Sequence, residues 1–299
     1  MALSLLRWLV GRIGRWSTRR ADFFGRLLGR IAWLVGVRRR VVLDNLRQAL
    51  GVDLPMARRI GRRAMEQFGQ VILELPRAAT LSGADARRLI GERNLLRLSR
   101  VLAPGRGLII LSAHLGSWDL LACAAARAGF DVCVVTRSLK QGALSEVWME
   151  QRRACGVELI AARGGGRSIV RALRRGAIVA MVLDQHQPGG LVVPFFGRPA
   201  ATSDAVARLA RLSGAPVMPA FLMRAAGAHH LRLGAPIPLV SAAGAGEQLR
   251  RTTATYTAVI ERAIRRDPTQ WFWLHRRWKV RSVICPADSA SAVGRCAES

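Results

Sequence analysis

The chain has 299 residues, 51% of them hydrophobic, and carries 47 Lys plus Arg against 19 Asp plus Glu, a formal net charge of +28. That much apolar material supports a sizeable core and excludes a solvated tail. The charge predicts polyanionic neighbours: nucleic acid, an anionic membrane face or an acidic carrier. Only Lys140 and Lys279 are lysines. Cys123, Cys133, Cys155, Cys285 and Cys296 form no C-x-x-C pair and have no histidine at zinc-finger spacing. They point to reduced thiols in a cytoplasmic setting and to neither a structural metal nor a disulfide framework.

Residues 1–37 are rich in Leu, Trp, Phe, Ile and Val, but arginines interrupt them too often for an 18-residue apolar span or a secretory signal. Arg12, Arg15, Arg19, Asp22, Arg26 and Arg30 recur at intervals of three or four and form one stripe of a helix. Ile13, Trp16, Phe23, Leu27, Ile31 and Leu34 fall on the neighbouring face. This basic and aromatic amphipathicity suits a helix lying among lipid headgroups; the alternative is a helix packed on the domain with its arginines in water. Helical spacing of Ile60, Ala64, Phe68, Ile72 and Leu75 makes residues 40–100 α-helical, with a stop at Pro76.

Beyond residue 100 the rhythm changes. Apolar runs at 107–113, 131–136, 157–161, 177–183 and 216–223 alternate with helical stretches at 117–128, 142–154, 167–175 and 203–213. This is the pattern of an α/β fold, with a mixed, largely parallel sheet flanked by crossover helices. An edge strand at 229–239 and a closing helix around Leu249–Ile264 complete it. The domains expected are a membrane-associating helical segment (1–37), a main domain (38–286, helical to residue 100) and a disordered Ala/Ser-rich tail (287–299).

The strand ends carry the chemistry. The run 108–119 closes a buried strand with His114 and places Asp119 five residues on. A helix starting near Ser117 could fold that acid back to steady the imidazole as a general base. Arg137 and Asp184–Gln185 end two further strands, so His114, Arg137 and Asp184 converge on one edge of the sheet. The block 194–202, containing Phe195, Phe196, Gly197 and Arg198, reads as a loop beside an apolar slot. The block 270–279, with four aromatics among cations, reads as a headgroup-facing surface. Ser112 and Ser117 lie in no nucleophile elbow. His229 and His230 alternate on an edge strand and read as surface residues, while His186 and His275 lack partners at metal-binding spacing. The arginines are spread along the chain without a recognition module, which counts against nucleic acid as partner.

Taken in order, Asn45–Leu46, Gly107 through Leu120, Asp184–Gln185, the block 194–202, Ala207 through Pro219 and the block 270–279 resemble the lipid A late acyltransferases, the lauroyl and myristoyl transferases of the lysophospholipid acyltransferase superfamily. The resemblance covers most of the chain and implies a glycerol-3-phosphate acyltransferase-like fold. It implies transfer of a fatty acyl group from acyl carrier protein to a hydroxyl of a phosphorylated lipid A precursor at the cytoplasmic face of the inner membrane, without a cofactor. In this family His114 and the acid at 119 would be the charge-relay pair. Arg137 would hold a sugar phosphate and Phe195–Phe196 would border the acyl slot; amides near Gly116 are candidate oxyanion donors. The chain departs from the family in having Asp119 where Glu is usual, Arg137–Ser138 for Arg-Pro, and Asp184–Gln185–His186 for a DQD-like run. The alternative within this chemistry is another acceptor, a lysophospholipid or a different glycolipid.

Overall fold

A computed structural model describes residues 2–136 and 142–279. The chain opens with helices α1 (Ala2–Gly14), α2 (Thr18–Leu34), α3 (Arg39–Leu50), α4 (Leu54–Ala78), α5 (Gly83–Ile90) and α6 (Glu92–Leu102). An alternating half follows: β1 (Leu108–Ser112), α7 (Trp118–Arg127), β2 (Val132–Thr136), α8 (Ala143–Ala154), β3 (Glu158–Ala161), α9 (Gly166–Arg174) and β4 (Ile178–Val182). Next come a hairpin of β5 (Leu191–Phe195) and β6 (Arg198–Thr202), then α10 (Ala205–Ser213), β7 (Val217–Ala225), β8 (Ala228–Leu233) and α11 (Ala245–Arg266). Residues 271–279 form an irregular strap after a short 3-10 turn at Pro268–Gln270. The tail expected at 287–299 lies outside the described residues, as does Arg137.

Six strands form the main sheet in the order β3-β2-β4-β1-β7-β8; all contacts are parallel except β7–β8. The expected α/β architecture with a helical amino-terminal region is therefore present. Every residue of β1 is buried. Leu108 and Ile110 face one core with Leu98, Cys123 and Ala124, while Ile109 and Leu111 face another with Ile169, Leu209 and Ile260. A strand covered on both faces needs a continuous apolar run, and 108–111 supplies it.

Four expectations change in detail. The amino-terminal stripe divides at Arg15–Ser17, where Ser17 caps α2 by accepting from the amide of Arg20. Helix α4 runs two residues past Pro76, which has no amide hydrogen to give to the helix ladder at that position. The segment 194–202 is not a loop: with 191–193 it makes an antiparallel hairpin whose turn residues Phe196 and Gly197 both have positive φ. The edge strand ends at Leu233, before Gly234 and the two prolines that follow.

Helix α2 inverts the usual burial. It packs on α4 through Ala21, Gly25, Gly29 and Trp33. A Cβ on Gly29 would lie 2.1 Å from the carbonyl oxygen of Met65. Its large side chains Phe23, Leu27, Ile31 and Leu34 point outward and are 40–74% exposed. Trp8 and Leu5 on α1 are also exposed. No described helix is long and apolar enough to cross a membrane.

Candidate active site

Strand register builds the site. The parallel β1–β4 ladder pairs Ser112 with Val182, so two residues further on His114 and Asp184 leave the sheet side by side at its carboxyl edge. Asp184 is buried and its carboxylate is fully used. Oδ1 accepts from His114 Nδ1 (2.9 Å), while Oδ2 accepts from the His114 amide (2.9 Å) and the Trp271 indole N–H (2.7 Å). Burial alone would raise this acid, but the positive charge His114 can carry and these donated hydrogen bonds outweigh it and hold the carboxyl at about 2. An ionised partner keeps the proton on Nδ1 and leaves Nε2 as the basic nitrogen. The ring sits against Trp118 and Phe272, at centroid distances of 5.1 and 6.1 Å. Gln185 carries its side-chain amide to within 3.4 Å of Nδ1.

Asp119 does not make this contact. It sits in the first turn of α7, buried, and its oxygens accept from Arg152 Nε (2.7 Å) and Trp148 Nε1 (3.0 Å), both on α8. The expected His114–Asp119 relay is thus replaced by two separate pairs, His114–Asp184 and Arg152–Asp119. The cause is the connection between β1 and α7. Gly116 adopts φ +62°, and a Cβ there would lie 2.2 Å from the carbonyl oxygen of Leu222, so this turn is pressed onto β7. From it α7 starts with Asp119 directed at α8. The amides near Gly116 are also committed: Gly116 donates to Gln270 O (3.0 Å) and Ser117 to Leu222 O (2.9 Å). They are not free oxyanion donors.

A cavity of about 640 Å³ opens at His114 and continues inward between α7 and the sheet, where Ile110, Ala122, Ala125, Ala180 and Ala220 line it and Leu98 and Leu233 lie at its depth. Its rim carries Gln185, Asp204 and Arg208. Phe195, Phe196, Gly197 and Arg198 are not part of this wall. Phe195 and Phe196 are buried against Trp271, Trp273 and Trp278, and the hairpin supports the strap rather than the slot.

The strap turns Trp271, Trp273, Leu274 and Arg277 into the protein rather than toward headgroups, and of its residues only Arg276 and Lys279 are exposed. Trp271, Trp273 and Arg277 are at most 3% exposed, and each polar head finds an internal acceptor. Trp273 donates to Pro268 O, Trp278 to Phe195 O, and Arg277 to Ala201 O and Thr202 Oγ1. Burial pushes the Arg277 guanidinium down to about 10. Asn45 donates to Trp273 O and His275 O, both at 2.8 Å, which fixes α3 to the strap.

His229 is likewise not a surface residue. Its Nε2 lies 2.9 Å from Glu74 Oε1 and 3.1 Å from Ser117 Oγ, within a buried network that joins Arg224 to Glu74 and to Asp22 of α2. Both partners use the same nitrogen, so Ser117, His229 and Glu74 do not have the geometry of a nucleophilic triad, which needs one partner on each. Among the described residues one group with metal-ligating atoms gathers, Asp131, Cys133 and Glu158, at the opposite edge of the sheet. Arg175 already donates to both of its carboxylates.

The sequence profile of the bacterial lipid A biosynthesis acyltransferases matches residues 8–280. The chain belongs to that family. It is an acyl-transferring enzyme. It is 27% identical over 223 residues to a lipid A biosynthesis palmitoleoyltransferase of Escherichia coli (strain K12), covering 72% of this chain and 70% of that one. A Shigella flexneri lipid A biosynthesis acyltransferase gives the same figures. A phosphatidylinositol mannoside acyltransferase of Mycobacterium tuberculosis (strain ATCC 25618 / H37Rv) is 26% identical over 165 residues, 52% of each chain. The acceptors in these names are glycolipids. In the sequence Asp184 stands only at a strand end on the same edge as His114; its pairing with the imidazole follows from the adjacency of β1 and β4, which spacing along the chain does not show.

Proposed function

We propose that this enzyme moves a fatty acyl group from the thioester of acyl carrier protein to a hydroxyl of a lipid A precursor or a related phosphorylated glycolipid, at the cytoplasmic face of the inner membrane. The observation that carries the reading is a buried, ionised carboxylate on the imidazole of His114 at the mouth of an apolar cavity. His114 Nε2 takes the proton of the acceptor hydroxyl as its oxygen attacks the thioester carbonyl. Asp184 supports the imidazolium, and the proton then passes to the leaving thiolate. Base catalysis of this kind contributes about 10²–10⁴-fold. Gln185 is the side-chain amide positioned to meet the developing oxyanion. Asp119 acts structurally, holding α8 and Arg152 against α7.

The cavity takes the acyl chain. Its volume lies in the ordinary range for ligand sites, and its inner wall is apolar. Arg137, the next residue in sequence after β2, is assigned to an acceptor phosphate. The outward apolar face of α2, flanked by Arg19, Arg26 and Arg30, lies on the lipid surface. The +28 charge attracts anionic lipid, phosphorylated acceptor and acidic carrier alike.

The test is mass spectrometry of glycolipids from a strain lacking the gene, with purified enzyme assayed on acyl carrier protein thioesters. Loss of one acyl chain from a glycolipid, restored by the wild type and not by His114→Ala, is expected. An unchanged glycolipid profile together with a changed phospholipid profile would favour a lysophospholipid acceptor instead.

A further inference from the structure

We propose that Trp271 is a positioning residue for the base, its indole N–H fixing the Asp184 carboxylate while the strap around it fixes the backbone of His114; this rests on the acyl-transfer reading above. Three hydrogen bonds converge from the strap region onto the site. Trp271 Nε1 donates to Asp184 Oδ2 at 2.7 Å, the Phe272 amide to His114 O at 2.9 Å, and the Gly116 amide to Gln270 O at 3.0 Å. Leu115 and Trp271 form an isolated antiparallel bridge between them.

The geometry restricts Asp184 to one rotation. Oδ2 is held by two donors, the His114 amide and the indole, which leaves Oδ1 for Nδ1. The indole itself cannot swing: Trp273 lies edge-on at 4.5 Å, and Phe195 and Phe196 close its other sides at 5.8 and 6.2 Å. Asn45 secures the following turn. A buried tryptophan whose hydrogen bond ends on the relay acid does more than fill the core.

Taking the N–H away leaves Asp184 with one donor fewer. Its charge is then less compensated and bears more strongly on His114, so the imidazolium form is favoured and the base is lost at a higher pH. The other titratable and charged groups facing the pair are His275, Arg277 and Lys279 of the strap, His186 beside Asp184, and Asp119 and Arg152 across the cavity. All are retained in the variants.

The experiment compares kcat/KM against pH for Trp271→Phe and Trp273→Phe. Trp273 is equally buried and donates an equally short bond, 2.7 Å, to Pro268 O instead of Asp184. Trp271→Phe is expected to move the acid limb up by about half a unit and to lower kcat about tenfold, with KM changed less than about twofold. Trp273→Phe is expected to lower the Tm without moving the limb. Should Trp271→Phe not fold, 3-benzothienylalanine at 271 keeps the bicyclic shape without the N–H and is expected to give the same limb shift. An unmoved limb in a folded residue-271 variant, or equal movement in both, overturns the proposal. Turnover retained by His114→Ala would overturn the underlying reading instead.

Discussion

Two carboxylates, Asp184 and Asp119, lie near the carboxyl edge that carries His114, and neutralising each in turn separates the roles proposed for them. In Asp184→Asn the side chain keeps an acceptor oxygen for the His114 amide and the Trp271 indole, which share Oδ2, but it offers an NH₂ to His114 Nδ1 in place of a carboxylate oxygen. Nδ1 then has to accept, the ring proton moves to Nε2, and the nitrogen that should take the hydroxyl proton is already protonated. The expected loss in kcat is about 10²–10⁴-fold. Loss of charge-assisted bonds of about 1.5–3 kcal/mol lowers the Tm by about 2–5 °C. Asp119→Asn leaves the buried Arg152, 11% exposed, without a charged partner. A broken buried pair costs about 3–5 kcal/mol. Turnover per folded enzyme should stay within about tenfold of wild type, because nothing that touches His114 has changed. The assay is acyl transfer from acyl carrier protein thioester to glycolipid, normalised to the folded fraction from the calorimetric trace. Asp184→Asn within threefold of wild type, with folded Asp119→Asn inactive, would refute the reasoning and restore the acid at 119 as the relay.

Filling the slot should shorten the acyl chain accepted: Ala180→Leu occupies the cavity below His114. Each methylene displaced costs about 0.8 kcal/mol of burial, roughly fourfold in preference per carbon; a uniform loss across thioester lengths would count against an acyl slot here. The triple change Phe23→Ser, Leu27→Ser, Ile31→Ser removes side chains already exposed in the fold. Its Tm should stay within about 2 °C while sedimentation with anionic vesicles falls at least tenfold; retained sedimentation would place the lipid contact elsewhere. His275 predicts an acid limit to stability. Burial holds its imidazole down at about 4, and its Nε2 accepts from the His186 amide, a bond that protonation would break. The unfolded chain takes up this proton near 6.5 and the folded one only near 4, so stability falls as pH drops through that window, by at most about 3 kcal/mol. His275→Gln should flatten the Tm-against-pH slope between pH 6.5 and 4.

By itself the sequence settled what depends on near neighbours. Alternating apolar runs and helical stretches specified strands and crossover helices to within a residue or two, because a doubly covered strand such as 108–112 must be apolar throughout and a crossover helix must follow it. Residue chemistry at strand ends brought His114 and Asp184 to one edge. The choice of carboxylate was different. Asp119 is five residues from His114 and Asp184 seventy, yet strand order put β4 beside β1 and made the distant acid the adjacent one. The strap went the same way: Trp, Phe and Arg in sequence suit an oil–water boundary and a buried wall equally. Only the hairpin 191–202 and the acceptors on Pro268, Phe195 and Asp184 made it a wall. Composition carries no information about which distant carbonyl or carboxylate will satisfy an indole, and that pairing fixed the orientation of the Asp184 carboxylate.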